Sequence, residues 1–122
     1  FGVNLDEEIS RSRRISLPLS MITLDIDQFQ NLNNAIGFAN ADAILKVIGA
    51  LLKKTARAND ILARIGADEI ALLLPHTGHL GAAVKAERIR RIIESTRFPA
   101  AEGKGVRVTV SVGVSEYPSF SN

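Results

Sequence analysis

Residues 57–75 read RANDILARIGADEIALLLP, and how this stretch folds decides how the rest of the chain folds. Arg57 to Asp60 reads as a turn after a helix. Ile61-Leu62 begins a short strand, and Ile70 to Leu74 is an unbroken apolar run suited to a second, buried strand. Between them Gly66-Ala67-Asp68-Glu69 predicts a tight turn, since glycine and aspartate tolerate turn geometry and bond locally to the backbone. Two adjacent carboxylates on a rigid turn either salt-bridge to a surface or hold a metal ion. A second acidic pair, Asp25 and Asp27, ends another apolar run, Leu19 to Leu24. If the two strands are neighbours, four carboxylates converge.

Outward from the hairpin, residues 40–56 have the strongest helical pattern. Ile44, Leu45, Ile48, Leu51 and Leu52 recur on one face, with Asn40 as the expected N-cap and Asp42 in the first turn. Residues 28–34 suggest one or two helical turns that Gly37 breaks. Gly78 and His79 lead into a helix over about 80–96, with Ala82, Ala86, Ile89 and Ile93 on one stripe and Arg88 well off it. Acids early and arginines late in residues 5–15 suit a helix dipole. Residues 98–105 read as a loop, and Val106 to Val114 alternates like a strand. The resulting order, α-β-α-α-β-β-α-β, predicts an α/β fold with a central mixed sheet flanked by helices.

Composition narrows the function classes. A chain of 122 residues, 46% hydrophobic, suffices for one domain with one core. A net charge of +2 gives no dedicated nucleic-acid surface, and the absence of cysteine excludes disulfides and thiolate metal sites. No apolar run approaches the ~20 residues of a membrane span. The expectation is a soluble cytoplasmic domain that neither inserts into membrane nor binds nucleic acid.

LDIDQFQNLNNAIGFANAD, RANDILARIGADEIALLLP and VTVSVGVS, in that order and spacing, resemble the GGDEF domain of bacterial diguanylate cyclases. The similarity covers nearly the whole chain. It implies a palm-like fold related to nucleotidyl cyclases, in which two domains, each holding one GTP, face each other to make cyclic di-GMP. By the same resemblance Asp25 and Ile26 at the strand end, with Asp68 and Glu69 in the hairpin, match the Mg²⁺ site, Asp68 and Glu69 being the catalytic signature acids. Asn33 and Asp42 match the residues that read the guanine edge. Arg57 and Asp60 match an Arg-x-x-Asp inhibitory site for cyclic di-GMP, and Arg88 matches a position that in some relatives supplies a second arginine. Taken singly, these residues are also strand-end acids, turn formers and exposed helix arginines. His76 and His79 show no metal spacing with the acids and read as loop residues.

The chain also departs from the family pattern. Ala67 stands where the signature has its second glycine, and Ile70 where it has phenylalanine. If φ is positive at Ala67, a Cβ there costs roughly 1–2 kcal/mol. Gln30 replaces a usual lysine, Asn34 a usual aspartate, and Phe38 a usual histidine. These changes beside an intact Arg57/Asp60 motif lead to the expectation of a cyclic di-GMP receptor with turnover lost or weak. The alternatives are an active, product-inhibited diguanylate cyclase and a GTP-binding regulatory domain. The domain is expected to be a piece of a longer multidomain signalling protein, with an upstream sensory or effector domain and a homodimeric arrangement.

Overall fold

Seven elements cover the residues described by the computed structural model, 18–98 and 105–117. In chain order they are β1 (Leu19–Ile26), α1 (Phe29–Ile36), α2 (Phe38–Thr55), β2 (Ile61–Arg64), β3 (Glu69–Pro75), α3 (His79–Glu94) and β4 (Val110–Tyr117). The helix expected at residues 5–15, and most of the loop before β4, lie outside the described residues. The strands form one sheet of order β2-β3-β1-β4. Each described pairing is antiparallel, so the sheet expected as mixed has antiparallel neighbours throughout its described strands.

Side-chain alternation explains why the sheet carries both a core and a site. On β1, Ile22, Leu24 and Ile26 point one way and are buried, whereas Asp25 and Asp27 point the other way and are exposed. The apolar face, joined by Ile70, Leu72 and Leu74 of β3, packs against Ile44, Leu45, Ile48 and Leu52 of α2. Ala82, Ala86, Ile89 and Ile93 of α3, the predicted stripe, complete that core. Arg88 is exposed, as its position off the stripe requires.

Three of the boundaries that differ from the sequence reading have a visible cause. Helix α2 starts at Phe38, so Asn40 lies inside it, and Asp42 falls beyond the first turn. The cause is Gly37, whose φ of 88° and ψ of 155° end α1 and redirect the chain at once. Asn40 therefore does not cap α2; its Nδ2 donates to Ile36 O at 2.7 Å and ties the new helix to the old one. The last strand begins at Val110, because β1 pairs it residue for residue from Ile26↔Val110 to Leu19↔Tyr117. Val106 instead bridges Phe98 alone. Helix α3 ends at Glu94, two residues early, where Thr96 Oγ1 turns back onto Ile92 O at 2.6 Å.

Candidate nucleotide and metal site

The acids at the end of β1 and in the hairpin are brought together by strand register. Asp25 of β1 lies opposite Glu69, the first residue of β3, and Ile26 N donates to Asp68 O at 3.3 Å. The Asp25 carboxyl is raised to about 6. Partial desolvation is the largest cause, followed by hydrogen bonding to Asp68 and the charges of Asp68, Glu69 and Asp27. Asp25 thus meets Asp68, with Glu69 opposite it in the strand register. The fourth carboxylate, Asp27, is drawn across to β4, where Ser111 Oγ donates to Oδ1 at 2.6 Å and Thr109 Oγ1 to Oδ2 at 2.7 Å. Those hydroxyls hold its carboxyl below the usual aspartate range.

This corner is pinned from both sides. Asp27 N donates to Thr109 O at 3.0 Å, and the next residue, Gln28, sits in the left-handed region at φ 54°. A non-glycine residue there is held against a steric cost, and such positions cluster at functional sites. Beyond it opens a cleft of about 550 Å³, lined by Asp25 to Gln30, Asn33, Phe38, Ala67, Asp68 and Ser111. Asn33 Oδ1 is buried there with no hydrogen-bond partner. Buried polar atoms are otherwise almost always paired, so this one has capacity for a ligand donor.

The donor set suits magnesium. Among the described residues no three carboxylate or imidazole groups form a ready-made metal cage. Mg²⁺ needs none, since it takes one or two carboxylates and completes its shell with water and substrate phosphates. Asp25 and Asp68 supply such a pair, with Glu69 alongside. The Ile26 side chain is buried in the core, so only its main-chain carbonyl is free to contribute.

Ala67 lines the cleft without strain. Among the described residues only Gln28 and His76 combine a side chain with positive φ, and Gly37 is the one glycine with positive φ. The penalty expected for a left-handed Ala67 is therefore absent. The turn is fastened by a residue the sequence did not reveal, Arg64, at the end of β2. Its Nη2 donates to Ala67 O at 2.7 Å, its Nε to Gly66 O at 3.3 Å, and its Nη1 to Asp42 Oδ1 at 3.0 Å. Asp42 also lies 3.6 Å from Lys46 Nζ. It is thus engaged in two ion pairs and does not line the cleft, whereas Asn33 does.

The Arg-x-x-Asp motif forms a separate arrangement after α2. Arg57 N donates to Asp60 Oδ2 at 2.8 Å, and the Arg57 guanidinium reaches Asp60 Oδ1 and Thr77 Oγ1. The Asp60 side chain is only 1% exposed and Lys85 Nζ of α3 lies 3.7 Å from it, while Arg57 is 60% exposed. Asp60 therefore braces Arg57 here, and Lys85 is a second residue that sequence reading missed. Both misses share a cause: Arg64 and Asp42, like Lys85 and Asp60, come from elements that meet only once the sheet and helices pack. His76 and His79 are both exposed; His76 lies in the loop as expected, whereas His79 is the first residue of α3.

The family model described as "Diguanylate cyclase, GGDEF domain" matches residues 1–122. The chain is 39% identical over 100 residues to YhcK of Bacillus subtilis, an uncharacterized protein, covering 82% of this chain and 28% of that protein. It is 37% identical over 99 residues to diguanylate cyclase A of Treponema denticola, covering 81% of this chain and 26% of that one. Among solved structures it is similar to diguanylate cyclase SiaD of Pseudomonas aeruginosa in complex with its activator SiaC. That match has a TM-score of 0.85 and 30% identity, and covers 97% of this chain and 45% of that chain. The chain thus spans about a quarter of the curated relatives' length. Strand order, the paired acids of β1 and the hairpin, and the match along every residue converge on one conclusion: the chain belongs to the GGDEF domain family.

Proposed function

We propose that the domain binds GTP with Mg²⁺ in the cleft and forms one half-site of a diguanylate cyclase. The observation that carries this reading is that strand register sets Asp25 opposite Glu69 and next to Asp68, beside a cleft lined by Asn33 with its unpartnered Oδ1. Clustered carboxylates repel one another, a repulsion that a bound divalent cation would relieve. When bound, Mg²⁺ neutralises charge on the triphosphate and favours ionisation of an attacking hydroxyl. The chain's own residues do the rest. Asp25, Asp68 and the Ile26 carbonyl, with Glu69 alongside, would hold the ion, and Asn33 Oδ1 would accept from a guanine donor; Asp42 would reach the same edge only by giving up its pairing with Lys46. Arg64 keeps the turn carbonyls and Asp42 in fixed relation. One cleft holds one nucleotide, so joining two requires a second copy facing the first. The relatives' greater length supports a companion domain that sets this pairing, and the use of GTP supports a cytoplasmic location.

Calorimetric titration of the full-length protein with GTP, with and without Mg²⁺, tests the reading. Mg²⁺-dependent binding that Asp25→Asn weakens at least ten-fold and Arg57→Ala leaves alone supports it. Binding indifferent to both Mg²⁺ and Asp25 overturns it.

A receptor for cyclic di-GMP is the second reading, favoured by the exposed Arg57. Lys85 sits against Asp60, and the exposed Arg88 follows it by three residues along α3, the spacing of neighbours on one helix surface. Guanidinium groups there can grip phosphate oxygens or a guanine edge. Cyclic di-GMP binding that Arg57→Ala removes, without GTP turnover, would select this reading over the first.

A further inference from the structure

We propose that Phe38 is the stacking wall for the purine base, and so a residue on which base affinity and specificity depend. The inference rests on the reading of the cleft as a nucleotide site. Of the three phenylalanines among the described residues, Phe98 is fully buried and Phe29 packs against the core, but Phe38 is 71% exposed. It lines the same cleft as Asn33, which carries the unpartnered Oδ1.

Its position is built rather than incidental. Gly37, just before it, adopts a φ of 88° although nothing lies within 4 Å of where a Cβ would sit. Glycine is therefore needed here for backbone direction and not for room. Gly37 N donates to Asn33 O at 2.8 Å, and Asn40 Nδ2 to Ile36 O at 2.7 Å. These two bonds fix the start of α2 against the end of α1, and with it Phe38 relative to Asn33.

Bases stack on aromatic faces whatever their edge pattern, while an amide reads the edge. A phenyl ring and an unpartnered amide oxygen along one cleft are the two halves of a base pocket. A benzene ring offers nothing to phosphate, so its contribution falls on the base alone.

The test compares Mg²⁺-GTP with Mg²⁺-inorganic triphosphate, which lacks a base, by calorimetry on the full-length protein. The variants are Phe38→Ala, Phe38→Tyr and Asn33→Ala. The expected result is a loss of roughly ten-fold or more in GTP affinity for Phe38→Ala. Triphosphate affinity should stay unchanged, and Phe38→Tyr should bind GTP as the parent does. Wild-type GTP affinity in Phe38→Ala, while Asn33→Ala binds weakly, overturns the role of Phe38 and leaves the cleft standing. Equal losses for GTP and triphosphate also overturn it, since they indicate a shape defect. A change in oligomeric state without a change in GTP affinity makes Phe38 a contact between copies instead. Absence of GTP binding by the parent protein removes the cleft reading, and this one with it.

Discussion

At the scale of single residues, Ala67 and Asp25 govern opposite questions. Ala67 differs from the family signature, yet its backbone is not left-handed. Glycine at such a position adds freedom to the unfolded chain and relieves nothing in the folded one. Ala67→Gly should thus lower stability by about 0.4–1 kcal/mol, read from denaturant or thermal melts. A stabilising effect would mean that the turn is strained after all. Asp25 concerns pH. Its carboxyl titrates near 6 in the fold against an ordinary 3.8, so the folded state holds the proton more tightly. Its stabilising contribution is complete below the unfolded value and is lost as pH rises through about 6. Without metal, the parent protein should therefore lose melting temperature relative to Asp25→Asn between pH 4 and 7. Added Mg²⁺ should reduce that difference at pH 7. Parallel melting curves for the two proteins across this range would contradict the crowded carboxylate cluster.

At the scale of elements, the hairpin depends on a cross-link that leaves no periodic mark. Arg64 joins β2 to the turn carbonyls and to α2, so Arg64→Ala should destabilise by about 1–2 kcal/mol. The Arg64/Asp42 pair should show a coupling of at least ~0.5 kcal/mol in a double-mutant cycle followed by urea unfolding. Additive effects would mean that the contact carries no energy of its own. The same contrast explains what could be read from the chain beforehand. The hairpin and the burial of Leu24 and Leu72 follow from short apolar runs around a turn, and the α3 stripe from a period of 3.6, all of them local and visible. The acids of the site were legible as residues because they sit at strand ends in a known spacing. Asn40 deceived because a good capping residue stood three positions inside a helix that Gly37 had already started. The start of β4 was unreadable because its partner β1, not its own alternation, sets its length. The orphaned Asn33 oxygen and the buried Asp60 depend on packing, which no local pattern encodes.

At the scale of the whole molecule, the candidate cleft and the Arg57/Asp60 motif lie in different parts of the fold. The carboxylates and the cleft gather where β1 meets the hairpin, while Arg57 and Asp60 sit after α2 with Lys85 of α3 against Asp60. No helix among the described residues is long and apolar enough to cross a membrane. If the two sites are separate, changes at Arg57 should alter the response to cyclic di-GMP and spare GTP affinity, with the converse for Asp25. Matched titrations of both ligands against both variants check this; loss of both ligands in either variant would show a single shared site. The most direct test of the central claim is calorimetry of the full-length protein with GTP, in Mg²⁺ and in chelator, beside Asp25→Asn. The account predicts binding that needs Mg²⁺ and falls at least ten-fold in the variant. Equal GTP affinity in Mg²⁺ and in chelator, unchanged by Asp25→Asn, would contradict it.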